Sequence, residues 1–124
     1  MTRRATIRRQ PERAEQAACL KILRLLGADV YVLGTTRTRG DHPGTMMTPG
    51  LPDLYAFLPM GPPPAAVTPW PLWIEVKAPG GRLSLEQRGF RTWCELSGHR
   101  HFSGTAEDLL RYLRGLGYWT KLRT

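Results

Sequence analysis

Two apolar runs limit this chain more than any other feature: Leu54-Tyr55-Ala56-Phe57-Leu58 and Leu72-Trp73-Ile74-Glu75-Val76-Lys77. In a strand, successive side chains point to opposite faces of the sheet. Both runs put large apolar groups at odd and even positions alike, so each needs cover on both sides, as a central strand has. Residues 59–71 between them hold six of the eleven prolines and read as a connection rather than a central strand. At 124 residues the chain has the length of one domain, enough for a core without disulfides or structural metals.

The rest of the chain supplies cover for those strands. Residues 11–27 carry a helical pattern, with Pro11 suited to the first turn and Gly27 to the stop. Ala18, Cys19, Ile22, Leu25 and Leu26 form one apolar stripe. Glu15 projects near the middle of that stripe, where a carboxylate needs a cation or donors, and Glu12 lies nearer its margin. Residues 30–33 read as a short strand, and 37–50 as a long irregular loop of the kind that is usually functional or mobile. Ser84 opens a second helix that Gly98 ends, with Leu85, Phe90, Trp93 and Leu96 as its apolar face. A short strand follows near 99–103. Thr105-x-x-Asp108 then caps a last helix reaching Arg114. The expected order is α-β-β-β-α-β-α, an α/β domain with a mixed sheet flanked by helices. Its domain spans 11–117, between a flexible basic arm at 1–10 and a basic, aromatic tail at 118–124.

Charge narrows the partner. Eighteen Lys and Arg against ten Asp and Glu give a net +8, and fifteen of the eighteen are Arg. A small domain with that excess usually meets a polyanion, and Arg suits phosphate through planar, bidentate contacts. No apolar run approaches the roughly 20 residues of a membrane span. Arg3, Arg4, Arg8 and Arg9 are not followed by the apolar stretch of a secretory signal. Cys19 and Cys94 form no Cys-x-x-Cys or Cys/His cluster, which argues against zinc and against a disulfide framework. The expected setting is intracellular, without a membrane.

Glu75 and Lys77 carry the chemistry. At i and i+2 they share one face of a strand, while Ile74 and Val76 point into the opposite layer. Two charges in a central strand are costly unless they serve each other or a ligand. Asp53 sits at the mouth of the preceding run, within Pro52-Asp53. If the two runs are hairpin partners, Asp53 comes close to Glu75, and two such carboxylates repel unless a cation lies between them. Oxygen ligands of this type suit a hard ion, Mg²⁺ or Mn²⁺, and Glu15 could complete the cluster. Plainer readings stand beside these. Asp53 or Glu75 could form a buried ion pair with Lys77, Asp53 could be a turn residue, and Ser84-x-x-Gln87 is a capping box.

Taken in order, Gly50-Leu51-Pro52-Asp53-Leu54, Trp73-Ile74-Glu75-Val76-Lys77-Ala78-Pro79-Gly80-Gly81 and Leu83-Ser84-x-x-Gln87 resemble the virus-type replication-repair nuclease (VRR-NUC) domain of the PD-(D/E)xK nuclease superfamily. The resemblance runs from about Glu12 to Leu113. It implies a restriction-endonuclease-like core, with metal ligation by Asp53, Glu75 and the Val76 carbonyl. Lys77 would orient or deprotonate the attacking water. Glu15 would be the helix glutamate that holds a metal-bound water or a second ion, with Glu12 as the alternative, and Gln87 would support the site from the following helix. The implied cofactor is Mg²⁺ or Mn²⁺.

Arg82, just past the catalytic strand, is the leading candidate for a phosphate contact, with Arg37, Arg39, Arg88, Arg91, Arg8 and Arg9 as further candidates. No base-reading module is present, so recognition by DNA shape is expected. The resemblance implies a homodimeric, structure-selective DNA endonuclease that resolves Holliday junctions or other branched DNA in repair, of phage or mobile-element type. Residues 59–71 with Trp70, Tyr118 and Trp119 are the candidate dimer surface, edge packing being the alternative. Two further readings remain: a non-catalytic basic DNA-binding module, and a restriction-type nuclease that cuts linear duplex at fixed sequences.

Overall fold

In the computed structural model, residues 2–33, 48–59 and 70–119 are described, with 2–10 as backbone alone. Seven elements follow one another: α1 (Thr2–Leu26), β1 (Asp29–Val32), β2 (Leu54–Leu58), β3 (Trp70–Val76), α2 (Leu85–Ser97), β4 (Arg100–Gly104) and α3 (Ala106–Gly115). The class is mixed α/β: a four-stranded mixed sheet flanked by three helices. The strands lie in the order β1-β2-β3-β4. β1, β2 and β3 form an antiparallel meander, and β4 pairs parallel to β3. A parallel neighbour needs a crossover, and α2 supplies it.

The register divides β3 between two layers. Leu54, Ala56 and Leu58 of β2 and Leu72, Ile74 and Val76 of β3 are fully buried on one face. Cys19 and Leu23 of α1 and Leu109 and Leu113 of α3 close over them, with Phe102 of β4. Removal of this apolar surface from water is the main force holding the fold. The odd positions face the other way. Tyr31, Phe57, Tyr55 and Trp73 form a run of ring contacts there, with centroids 6.1, 5.1 and 4.1 Å apart, and Phe90 of α2 lies 5.1 Å from Trp73.

Three expectations need correction. The helix does not wait for Pro11 but begins at Thr2, so the backbone of 2–10 is helical rather than an irregular arm. Arg, Ala and Gln are good helix formers, and Pro11 is carried inside the helix at the cost of one backbone bond. β3 starts at Trp70, two residues early, and includes Pro71. This is tolerated because β4 begins opposite Leu72, leaving Pro71 no strand on that side. On α2, Leu85 (70% exposed), Trp93 (47%) and Leu96 (83%) point outward, while Cys94 is buried and Phe90 meets Trp73. The helix turns Gln87, Phe90 and Cys94 toward the sheet and not the whole of its apolar stripe.

The capping expectations hold. Ser84 and Thr105 each complete a capping box, with Gln87 and Asp108. Gly98 ends α2 in the left-handed conformation. Trp70, Tyr118 and Trp119 are partly buried against the core: the Arg100 guanidinium lies 4.2 Å over the Trp70 ring, and the Tyr118 hydroxyl donates to the Pro59 carbonyl. Within the chain these residues act as edge packing. Residues 60–69 and 120–124 lie outside the described residues, as do Arg37 and Arg39. No helix among the described residues is long and apolar enough to cross a membrane.

Candidate metal centre

Antiparallel pairing of Leu54 with Ile74 brings Asp53, at the entrance of β2, beside Glu75 of β3. Asp53 is anchored by its own carboxylate, since Oδ2 accepts the Val76 N–H at 2.8 Å. Its backbone is held from the other side, where its carbonyl accepts the Leu33 N–H at 2.8 Å. Just upstream, Gly50 has φ +88° and lies so close to α2 that a Cβ there would meet the Glu86 carbonyl oxygen at 2.6 Å. Only glycine fits, and the close approach ties the Gly50–Asp53 stretch to the first turn of the helix that carries Gln87.

Gln87 joins that turn to β3 and to Lys77 just past it. Its Nε2 donates to Glu75 Oε2 at 2.9 Å, and its Oε1 accepts from Lys77 Nζ at 2.9 Å. The same Oε1 also accepts the Ser84 N–H at 2.8 Å, and the Gln87 N–H donates to Ser84 Oγ at 3.1 Å. Helix cap and site support are therefore one side chain in two roles. Lys77 Nζ lies 3.7 Å from Glu75 Oε2, so the expected strand ion pair is present, but it engages only one of the two Glu75 oxygens.

The other oxygen defines the problem this site must solve. Glu75 is 2% exposed, and its Oε1 is buried without a hydrogen-bond partner. A buried, unpaired carboxylate oxygen carries a desolvation cost that something must offset. Glu12, Asp53 and Glu75 each offer an oxygen, all within 4.8 Å of one another. Burial, with the Asp53 charge next in weight, pushes the Glu75 carboxyl up to about 9. Burial likewise raises Asp53, opposed by the Val76 N–H, and raises Glu12, opposed by the Lys77 charge. Two remedies exist for such a cluster: a proton held between Glu75 and Asp53, or a cation shared by all three. Carboxylate oxygens at this spacing fit a hard divalent ion.

The helix glutamate is the correction here. Glu12, not Glu15, reaches Asp53 and Glu75. Glu15 Oε1 instead accepts the Ala106 N–H at 2.7 Å. The apolar stripe aimed Glu15 inward correctly, but the interior at its level holds the start of α3, and the carboxylate cluster lies one turn nearer the helix N-terminus. In the sequence Glu12 stands second to Glu15 for this place. The two share a helix face and differ in height along the axis, which the apolar stripe does not report.

Beside the cluster runs a groove of about 680 Å³, lined by Pro11, Glu12, Lys77 and residues 78–82, Arg82 among them. Arg88 is exposed on α2 and does not line it. Arg8 and Arg9 belong to the helical backbone that leads up to Pro11, and their side chains lie outside the description. Comparison with family models, with curated proteins and with solved structures found no match.

Proposed function

We propose that this chain is a divalent-cation-dependent DNA endonuclease of the PD-(D/E)xK type, with a restriction-endonuclease-like core and specificity for branched or junction DNA. The observation that carries the reading is the cluster of Glu12, Asp53 and Glu75, with one oxygen from each within 4.8 Å of the others and Glu75 buried with its Oε1 unpartnered. Mg²⁺ or Mn²⁺ would be held by Asp53 and Glu75, with Glu12 beside them, and the resemblance adds the Val76 carbonyl. Bound there, the ion would lower the pKa of a water and neutralise charge on the phosphodiester. The protein's own groups do the rest. Lys77 Nζ, held by Gln87 at 2.9 Å, lines the groove, where it orients or deprotonates the attacking water. Glu75, steadied by Gln87 Nε2, cannot swing away from the cluster. Arg82 receives a neighbouring phosphate along the groove, and the +8 net charge draws the polyanion in. A homodimer, with one centre for each strand, would suit symmetric cutting of a junction.

The test is incubation with labelled four-way, flapped and linear DNA in Mn²⁺, Mg²⁺ or EDTA. Cutting of branched substrates with metal, and none in EDTA, is expected. Binding without cutting under every condition would leave a non-catalytic DNA-binding module. Fixed-site cutting of linear duplex would indicate a restriction-type enzyme.

A further inference from the structure

Glu15 lies outside the carboxylate cluster, yet its contact reaches across the fold. Its partner, Ala106, is the first residue of α3 and lies 91 positions away. The N–H groups of a first helical turn have no carbonyl within their own helix, and a carboxylate is favoured there by the positive helix end. Two residues earlier, Gly104 pairs with Val76 in the parallel ladder, and its carbonyl accepts the Lys77 N–H at 2.9 Å. Residues 104–106 are thus bonded on one side to the strand bearing Glu75 and Lys77, and on the other to α1. One turn before Glu15 on α1 stands Glu12, the member of the cluster that this helix supplies.

Glu12 is brought toward Asp53 and Glu75 against their mutual repulsion, so the helix needs a fixed rotation and a fixed height along its axis. We infer that Glu15 is a positioning residue: its bond to the start of α3 locks α1 to the end of the catalytic strand and so holds Glu12 against Asp53 and Glu75. The metal-affinity test of this claim rests on reading the cluster as a cation site; the geometric test does not.

The full chain with Glu15→Ala, Glu15→Asp or Glu15→Gln is titrated with Mn²⁺ and followed by calorimetry. Gln keeps an acceptor oxygen at the same reach, Asp keeps the charge but falls short, and Ala loses both. Ala and Asp are expected to weaken Mn²⁺ binding by about 10-fold or more, the usual scale for losing a group that orients a ligand, while Gln stays within about twofold of the parent. Glu107→Ala, on the exposed surface of α3, is expected to leave Mn²⁺ affinity unchanged. Parent affinity in the Asp variant, equal loss in Gln and Asp, or equal loss in Glu107→Ala would each overturn the inference. If the parent protein binds no Mn²⁺, the cation reading fails on its own account. A crystal structure of the Asp variant then decides the positioning claim: carboxylates of Glu12, Asp53 and Glu75 drawn apart support it, and all three still within 4.8 Å overturn it.

Discussion

β3 belongs to two regions that obey opposite rules. On one face, Leu72, Ile74 and Val76 are buried in an apolar layer sealed by α1 and α3. On the other, Trp73, Glu75 and Lys77 meet rings, an amide and a carboxylate cluster, and buried polar atoms without partners remain at Trp73 Nε1 and Glu75 Oε1. The first face minimises free energy through packing. The second carries desolvated charge that packing alone does not compensate. Alternation along one strand lets the stable layer hold the costly one in place, so substitutions on the two faces should separate stability from activity.

The largest expected effect is on the chemical face. Lys77→Ala is expected to lower cleavage by about 10²- to 10⁴-fold, the range for losing a positioned group that acts on the attacking water, while electrophoretic DNA binding stays near the parent level. Equal cleavage would remove Lys77 from the site. Ile74→Ala, its neighbour three positions back on the packed face, is expected to cost about 2–5 kcal/mol in denaturant unfolding, with kcat of the folded protein unchanged. A fall in kcat without a fall in stability would break the division between faces.

Next comes pH. The Glu75 carboxyl is raised from 4.5 to about 9 by burial and by Asp53, so the folded state holds its proton more tightly than the unfolded chain does. For metal-free protein, the stability linked to this group is therefore full below about 4.5 and is lost as pH rises through about 9. Melting temperature should fall across that window, Mn²⁺ should flatten the fall, and Glu75→Gln should reduce it. A melting curve independent of pH would mean that the cluster is already balanced within the chain. Arg82→Ala should raise KM several-fold with little change in kcat, because it lines the groove without belonging to the carboxylate cluster. The smallest effect is expected at Leu96→Ser on the outward side of α2, within about 0.5 kcal/mol of the parent.

Element order and the core of the site were legible because strands have a strict period. Once residues 54–58 and 72–77 are paired strands, Glu75 and Lys77 must share a face, and Asp53 must arrive beside Glu75. Gln87 was legible as a cap through its capping box, and as a support of the site only through the resemblance. Helices carry less information. An apolar stripe reports rotation but not height, and Glu12 and Glu15 differ by about 4.5 Å along the axis at a rise of about 1.5 Å per residue. The choice between them depended on where α3 begins, which is a tertiary fact. The outward apolar side of α2 was misread for a related reason: its rotation follows Gln87, Cys94 and Phe90 rather than the sum of its apolar residues.

The central claim is that three carboxylates from α1, β2 and β3 form one cation site. Crystals soaked in Mn²⁺ and measured at the manganese edge test it directly. An anomalous peak bonded to Asp53 and Glu75, with Glu12 at its side and Glu15 still on Ala106, is the predicted result. No peak among these three residues at saturating Mn²⁺, with Glu75 Oε1 left unpartnered or paired to a protein donor, would contradict it.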